Sequence, residues 1–106
     1  MLGISYKKNI DGMRESPSVE IMQRLQDLGV TIHYSDPHVP ELPKMRRYTF
    51  DLVGMELTPD NLKSYDCVVV GTNHDAFDYV MIASNVSLIV DSRVVYRNKI
   101  ENVVQA

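Results

Sequence analysis

The sequence lacks most of the features that mark specialised classes of protein. One cysteine among 106 residues excludes a disulfide framework and a zinc site built from cysteines. No apolar run approaches the roughly 20 residues that span a bilayer, and no secretory signal opens the chain. The net charge of -3 argues against a nucleic-acid partner. These absences leave a soluble cytoplasmic domain, without membrane contact, as the expectation.

The composition is that of an ordinary globular protein. Hydrophobic residues make up 44% of the chain and charged residues 24%. A chain of this length fits one domain and buries roughly two thirds of the surface that its unfolded form exposes. We therefore expect a hydrophobic core that needs neither a disulfide nor a metal ion.

Three segments carry helix signals. Ser16–Pro17 predicts the start of the first helix, because serine caps well and proline suits the first turn. Apolar residues then recur every three positions over 19–28, until Gly29 predicts the end. A second threonine-proline signal predicts a short helix at 59–64, and the polar pair at 72–73 predicts the cap of a third helix.

Strand signals alternate with these helices. Apolar and polar residues alternate over 30–34, and continuous apolar runs occupy 67–70 and 88–90. The apolar run at 1–4 is shorter than a normal strand, so the first strand is expected to be truncated. This alternation predicts an α/β fold: a three-layer sandwich with a mainly parallel, Rossmann-like sheet.

Basic residues follow several of the predicted strands. In open parallel sheets, ligands bind outside the carboxyl ends of the strands. The cations expected at that edge are Lys7, Lys8, Arg14 and Arg93. The helix predicted at Pro17 also points free N–H groups toward the edge, and this combination suits a phosphate or pyrophosphate. Each basic residue taken singly more often belongs to a solvated loop.

Other kinds of chemistry find little support. The dinucleotide motif G-x-G-x-x-G is absent, since Gly3 and Gly12 have the wrong spacing. Cys67 opens a buried strand and has no recognisable partner that would stabilise a thiolate, so we expect an inert core residue. The histidines lack metal-ligand spacing, although His74, at the ligand edge, is a candidate ligand contact. We expect no catalytic residue, bound cofactor or metal ion in this chain.

Several segments together resemble a known family of domains. They are L-G-I-S-Y-K-K-N-I-D at 2–11, R-E-S-P-S at 14–18, Y-S-D-P-H-V-P at 34–40, the stretch 65–78 and L-I-V-D-S-R at 88–93. In this order they are similar to the C-terminal UDP-binding domain of the UDP-glucose/GDP-mannose dehydrogenase family. The details most resemble the bacterial branch that oxidises UDP-N-acetylglucosamine or a related UDP-N-acetylhexosamine.

The resemblance implies that residues 1–106 are the UDP-binding part of a longer, NAD-dependent enzyme. Such a parent enzyme also has an NAD-binding Rossmann domain and a central helical dimerisation region, neither of which is recognisable here. It oxidises the sugar C6 alcohol to a carboxylate through a thioester on an active-site cysteine, which Cys67 does not match. The implied partners are a UDP-sugar and the parent's NAD-binding domain, with a homo-oligomer left open. The 106 residues alone are expected to be catalytically inactive.

The resemblance also implies particular site residues. Tyr6 and Lys7 match the family's loop that contacts the nucleotide and its phosphates, and Lys8 stands beside them. Arg14 belongs to the family's R-E-S turn, where it is a further candidate contact. Arg93 matches the arginine that reaches toward the sugar nucleotide.

Two positions depart from the family pattern. Asn73 stands where an acid is usual, and Val94 stands where asparagine commonly follows the arginine. Asn73 and His74 are additional candidate contacts.

Two other functions stay open at this point. One is a stand-alone or degraded interaction domain, a scaffold that keeps the fold without nucleotide binding. The other is a signalling receiver domain, which needs acidic residues where Lys7 and Lys8 stand.

Overall fold

Helices and parallel strands alternate along the part of the chain that a computed structural model describes, which is residues 1–5, 17–42, 52 and 54–106. The helices are α1 (Pro17–Asp27), α2 (Pro59–Lys63) and α3 (Tyr79–Asn85). The strands are β1 (Val68–Val70), β2 (Ile89–Asp91) and β3 (Val103–Gln105). The predicted α/β fold with a parallel sheet is confirmed within these residues.

The sheet extends beyond its three regular strands. β2 lies between β1 and β3 and runs parallel to both. Leu2 forms one parallel bridge with Val70 and another with Ser35, so the first segment lies between β1 and residues 30–35. Leu2 is the bridging residue on both sides among the described residues of this segment. The prediction of a regular strand within 30–35 is wrong. Among the described residues of the first segment, only the backbone of Met1–Gly3 bonds to this stretch, which is too little pairing for a regular strand.

Two hydrophobic clusters place the helices around the sheet. In one cluster, Leu62 of α2 and Ile82 of α3 pack with β1 and β2. In the other, Met22 of α1 packs with Ile4 and Tyr34. Each of these side chains is almost fully buried, and burial of such an aliphatic side chain contributes roughly 1.5–3 kcal/mol. The separation of α1 from α2 and α3 fits the layering of the predicted sandwich.

The helix starts follow capping chemistry. α1 and α2 begin at the prolines predicted for them, Pro17 and Pro59. The predicted cap of α3 at 72–73 is wrong, because the Thr72 hydroxyl donates to the Ser5 carbonyl oxygen (2.7 Å) instead of capping a helix. The side chain of Asp78 caps α3 in its place. None of the helices in the described ranges has the length and apolar character of a membrane span.

Candidate functional site

The carboxyl edge of the sheet brings together three segments that are distant in sequence. The first segment is described as far as Ser5. The neighbouring segment, residues 30–35, is followed by Asp36, and β1 is followed by Gly71. The first segment has Ser35 on one side and β1 on the other, so the strand order reverses here. Such a reversal opens a crevice outside the strand ends, which is where ligands bind in open α/β sheets.

A buried carboxylate joins these three strand ends. Oδ2 of Asp36 accepts hydrogen bonds from the backbone N–H groups of Ile4 (3.0 Å) and Ser5 (3.1 Å), and from the Ser5 hydroxyl (2.8 Å). Nε2 of His74, in the loop after β1, lies 2.9 Å from the same oxygen. The backbone N–H of His38 donates to Oδ1 (2.8 Å). One side chain therefore ties the three chain segments at this edge to each other.

The surroundings of Asp36 favour its charged form. Burial raises the pKa of this carboxyl, but the hydrogen bonds from Ile4, Ser5, His38 and His74 outweigh burial and hold the pKa below its ordinary value. The ring of His74 is fully buried and packs against the ring of His38, with 4.6 Å between the ring centroids. Because a carboxylate only accepts, Nε2 of His74 carries the hydrogen in this contact.

Two glycines let the backbone approach closely at the edge. Gly3 has a φ of +79°, and a Cβ there would lie 2.5 Å from the Cβ of Thr72. A Cβ on Gly71 would overlap the hydroxyl of Ser18 and lie 3.0 Å from the Gly3 carbonyl oxygen. Ser18 is in the first turn of α1, so the start of this helix packs directly on the end of β1. The first turn of α1 therefore lies at this edge of the sheet.

Arg93 follows β2 and reaches back across the end of β1. Its Nε donates to the Gly71 carbonyl oxygen (2.9 Å), and the hydroxyl of Ser92 donates to the Val70 carbonyl oxygen (2.5 Å). These bonds hold the guanidinium beside the start of α1, which also packs on Gly71. Among the residues that the structure describes, none bonds to its terminal nitrogens. Those nitrogens can therefore receive an anion at the edge.

A second buried carboxylate supports the loop that carries Arg93. Asp91 is fully buried and accepts from the backbone N–H groups of Arg93 (3.0 Å) and Tyr96 (2.9 Å). The side-chain amide of Gln105, in β3, also donates to it (3.2 Å). Burial raises the pKa of Asp91, but these hydrogen bonds outweigh burial and hold the pKa below its ordinary value. Within the same loop, Val94 has a φ of 57°, in the left-handed region.

The structure places three of the predicted site residues at this edge. Arg93 lies there as expected, and Asn73 and His74 are in the loop after β1. Asn73 is half-buried, whereas the His74 ring is fully buried against Asp36 and supports the loop from beneath. The other predicted contacts lie outside the described residues, and these are Tyr6, Lys7, Lys8 and Arg14. The binding roles of all these residues stay predictions.

A separate cleft opens at the opposite, amino-terminal edge of the sheet. It has a volume of about 450 Å³ and is lined largely by apolar groups, including Leu2, Met22 and Ile32. Cys67 borders this cleft and is exposed, so the prediction of a core residue is wrong. It precedes β1, where the sheet no longer covers it. Partial burial still raises the pKa of the thiol, which leaves it protonated and a weak nucleophile, as expected.

The described residues also show no group of three or more side chains that could hold a metal ion. The chemistry at the carboxyl edge is instead that of a guanidinium, helix N–H groups and buried carboxylates that orient the loops. Groups of this kind suit an anionic ligand.

Comparisons with known proteins identify relatives along most of the chain. UDP-N-acetyl-D-mannosamine dehydrogenase of Methanococcus maripaludis is 33% identical over 79 residues, which cover 73% of this chain and 16% of that protein. NDP-N-acetyl-D-galactosaminuronic acid dehydrogenase of Ralstonia nicotianae is 39% identical over 79 residues, which cover 71% and 17%. UDP-glucose 6-dehydrogenase of Rhizobium meliloti is 30% identical over 105 residues, which cover 92% and 23%.

The chain spans less than a quarter of the length of these curated relatives. The family profile for the UDP binding domain of the UDP-glucose/GDP-mannose dehydrogenase family matches residues 1–98, nearly the whole sequence. This match confirms the resemblance seen in the strand-end segments, and it favours neither the scaffold nor the receiver alternative. The parallel sheet, the arginine at its carboxyl edge and the extent of the match lead to one conclusion: the chain belongs to the UDP-glucose/GDP-mannose dehydrogenase family, as its UDP binding domain.

Proposed function

We propose that this chain binds the UDP part of a nucleotide sugar at the carboxyl edge of its sheet. The observation that carries the proposal is the placement of Arg93, whose Nε is held by the Gly71 carbonyl oxygen at 2.9 Å. A guanidinium anchored in this way can form paired hydrogen bonds with a phosphate. The start of α1, which packs on Gly71, adds backbone N–H donors to the same place. A diphosphate matches this set of donors.

Further contacts in this proposal come from the loop after the first segment. The contacts assigned to that stretch are Tyr6, Lys7, Lys8 and Arg14. The stretch begins directly after Ser5, which Asp36 holds at the same edge as Arg93. Asn73, in the loop after β1, is assigned to the sugar side. The cations would neutralise the diphosphate charge, and the helix N-terminus would add hydrogen bonds.

The proposed role of this domain is to serve a longer, NAD-dependent enzyme that oxidises the sugar C6 alcohol to a carboxylate. The described residues do not fit NAD, because Gly3 and Gly71 are closed by their packing against Thr72 and Ser18 and form no cradle for a dinucleotide. We therefore assign NAD binding and the catalytic cysteine to other parts of the parent protein. Its NAD-binding domain is then the natural partner across the crevice.

In this scheme the chain contributes binding energy rather than chemistry. Contacts with UDP hold the sugar C6 in position against reacting groups supplied from elsewhere, which lowers the entropic part of the barrier. Cys67 does not serve as the nucleophile, because its thiol pKa is raised and it borders the cleft at the opposite edge of the sheet. Residues 1–106 alone would therefore bind UDP and remain catalytically inactive.

Calorimetric titration of the 106-residue chain with UDP tests this proposal. We expect saturable binding that weakens as salt rises, since contacts with phosphates are screened by ions. Arg93→Ala should raise the Kd by about tenfold or more, because a hydrogen bond to a charged group contributes roughly 1.5–3 kcal/mol. Arg97→Ala is the matched control, because Arg97 is exposed and lies in the segment that follows the Arg93 turn.

Either of two results contradicts the proposal. A demonstrably folded chain that does not bind UDP would favour a scaffold domain kept for its fold alone. Equal losses of affinity in Arg93→Ala and Arg97→Ala would mean that the general positive charge, and not the anchored guanidinium, accounts for binding.

A further inference from the structure

Ser5 is held through every polar group that it carries. Its backbone N–H and its hydroxyl donate to Oδ2 of Asp36 at 3.1 and 2.8 Å. Its carbonyl oxygen accepts from the hydroxyl of Thr72 at 2.7 Å. The residue is also almost fully buried. Ser5, which immediately precedes the residues that the proposed function assigns to UDP, is therefore held in one position.

Asp36 is the centre of this arrangement. It is 3% exposed and accepts five hydrogen bonds from three chain segments. Four of these bonds converge on Oδ2 and one reaches Oδ1, so the hydrogen-bonding capacity of Oδ2 is fully used. In the described part of the chain no lysine or arginine pairs with it, and its charge is compensated by loop N–H groups, a hydroxyl and His74. The stabilisation of the buried charge is therefore linked to the positions of the loops.

We propose that Asp36 is a positioning residue for nucleotide binding. Through Ser5 and His74 it holds the end of the first segment against the loop after β1, so that the contacts proposed for the diphosphate start from a fixed position. This inference rests on the UDP binding proposed above, and Asp36 itself touches no ligand.

A second set of contacts supports the arginine at this edge. Arg93 is held by the Gly71 carbonyl oxygen and by Asp91, and neither of these contacts includes Asp36. A change at Asp36 should therefore impair the contacts that follow Ser5 and leave the Arg93 contact in place. An effect on the contacts after Ser5 without an effect on the Arg93 contact distinguishes a positioning role from a general loss of stability, because a general loss would weaken both sets of contacts.

The test is a set of UDP titrations of single and double variants of the whole chain. In Asp36→Asn one carboxylate oxygen becomes an NH₂ group, which cannot accept from the donors that face it. We expect its Kd for UDP to rise about tenfold, as is typical when a hydrogen-bonded charge is lost. Lys7→Ala should then add little in the Asp36→Asn background, whereas Arg93→Ala should add its full effect, because coupled residues are not additive and independent ones are.

Two controls keep the test decisive. Ile82→Val loosens the other core cluster, so it should lower stability and leave the UDP affinity of the folded protein unchanged. If Asp36→Asn does not fold, Ser5→Ala replaces it. Ser5→Ala removes only one donor to Asp36, and it should raise the Kd about threefold with the same coupling to Lys7→Ala. Amide exchange at Ile4 and Ser5 reports directly whether the link to the carboxylate is lost.

The possible outcomes distinguish the two proposals. A folded parent chain that does not bind UDP overturns the proposed function, and the positioning role with it. A parent that binds UDP, together with a folded Asp36→Asn whose Kd changes by less than about twofold, overturns the positioning role alone. If the effects of Asp36→Asn and Lys7→Ala on the Kd are fully additive, the positioning role alone is likewise overturned.

Discussion

Val94 holds a backbone conformation that its side chain disfavours. Its φ of 57° lies in the left-handed region, where the Cβ of an L-residue crowds the carbonyl oxygen, and a β-branched residue is a marked outlier there. The cost is roughly 1–2 kcal/mol. Asparagine enters this region more readily and is the residue that commonly follows this arginine in the family. We therefore expect Val94→Asn to stabilise the chain.

Little burial is lost in this replacement. The Val94 side chain is 57% exposed, so less than half of the roughly 1.5–3 kcal/mol of full valine burial is at stake. Asparagine is similar in size and keeps the Cβ contacts, so only part of that fraction is lost. The net gain should be about 0.5–1 kcal/mol, which for a domain of this size corresponds to a rise of roughly 2–8 °C in Tm.

Urea unfolding, followed by circular dichroism, measures this gain directly. A shift of the midpoint at unchanged slope reports stability alone. The matched control is Val104→Asn, because Val104 is 52% exposed and lies in the extended backbone of β3. The same replacement there should bring no gain. No stabilisation in Val94→Asn, or equal stabilisation in the two variants, would refute the argument from backbone strain.

Two further predictions concern the glycines and the buried carboxylates. Gly3→Ala should weaken folding severely, since its Cβ would lie 2.5 Å from the Thr72 Cβ. Gly29→Ala has a similar φ but meets nothing within 4 Å, so it should cost only about 1–2 kcal/mol; equal losses in urea would contradict this. The lowered pKa of Asp91 stabilises the fold at neutral pH, and this stabilisation is lost as pH falls through that lowered pKa. Asp91→Asn should therefore flatten the decline of stability below about pH 4, and an unchanged acid profile would argue against it.

Local signals in the sequence predict the helices better than the outer strands. A capping residue followed by proline predicts the start of α1 and α2, because a few consecutive residues contain the whole interaction. The strand β3 escapes prediction, since Val103–Val104 is a very short apolar run and its pairing with β2 is a contact across the sheet. The cap expected at 72–73 likewise fails, since the Thr72 hydroxyl bonds to the distant Ser5 carbonyl oxygen.

The residues of the candidate site also differ in how well local sequence signals predict them. The rule for parallel sheets places Arg93 at the carboxyl edge from the sequence alone. Asp36 has no comparable signal, since its donors Ser5 and His74 lie 31 and 38 residues away along the chain. The one local indication is an acidic residue that directly follows a sheet segment and precedes a proline. Only the folded chain shows that this residue is buried and bonded to three chain segments.

The last strand connects the end of the sequence to the arginine loop. Gln105 donates to the Asp91 carboxylate and to the Tyr96 carbonyl oxygen (2.9 Å), and the N–H of Ala106 donates to the Asp91 carbonyl oxygen (3.0 Å). A purification tag, fluorophore or surface tether fused rigidly to residue 106 would therefore pull on the turn that orients Arg93. Affinities measured with such a handle would depend on the handle as well as on the protein. A flexible spacer after residue 106 is the attachment that leaves the arginine undisturbed.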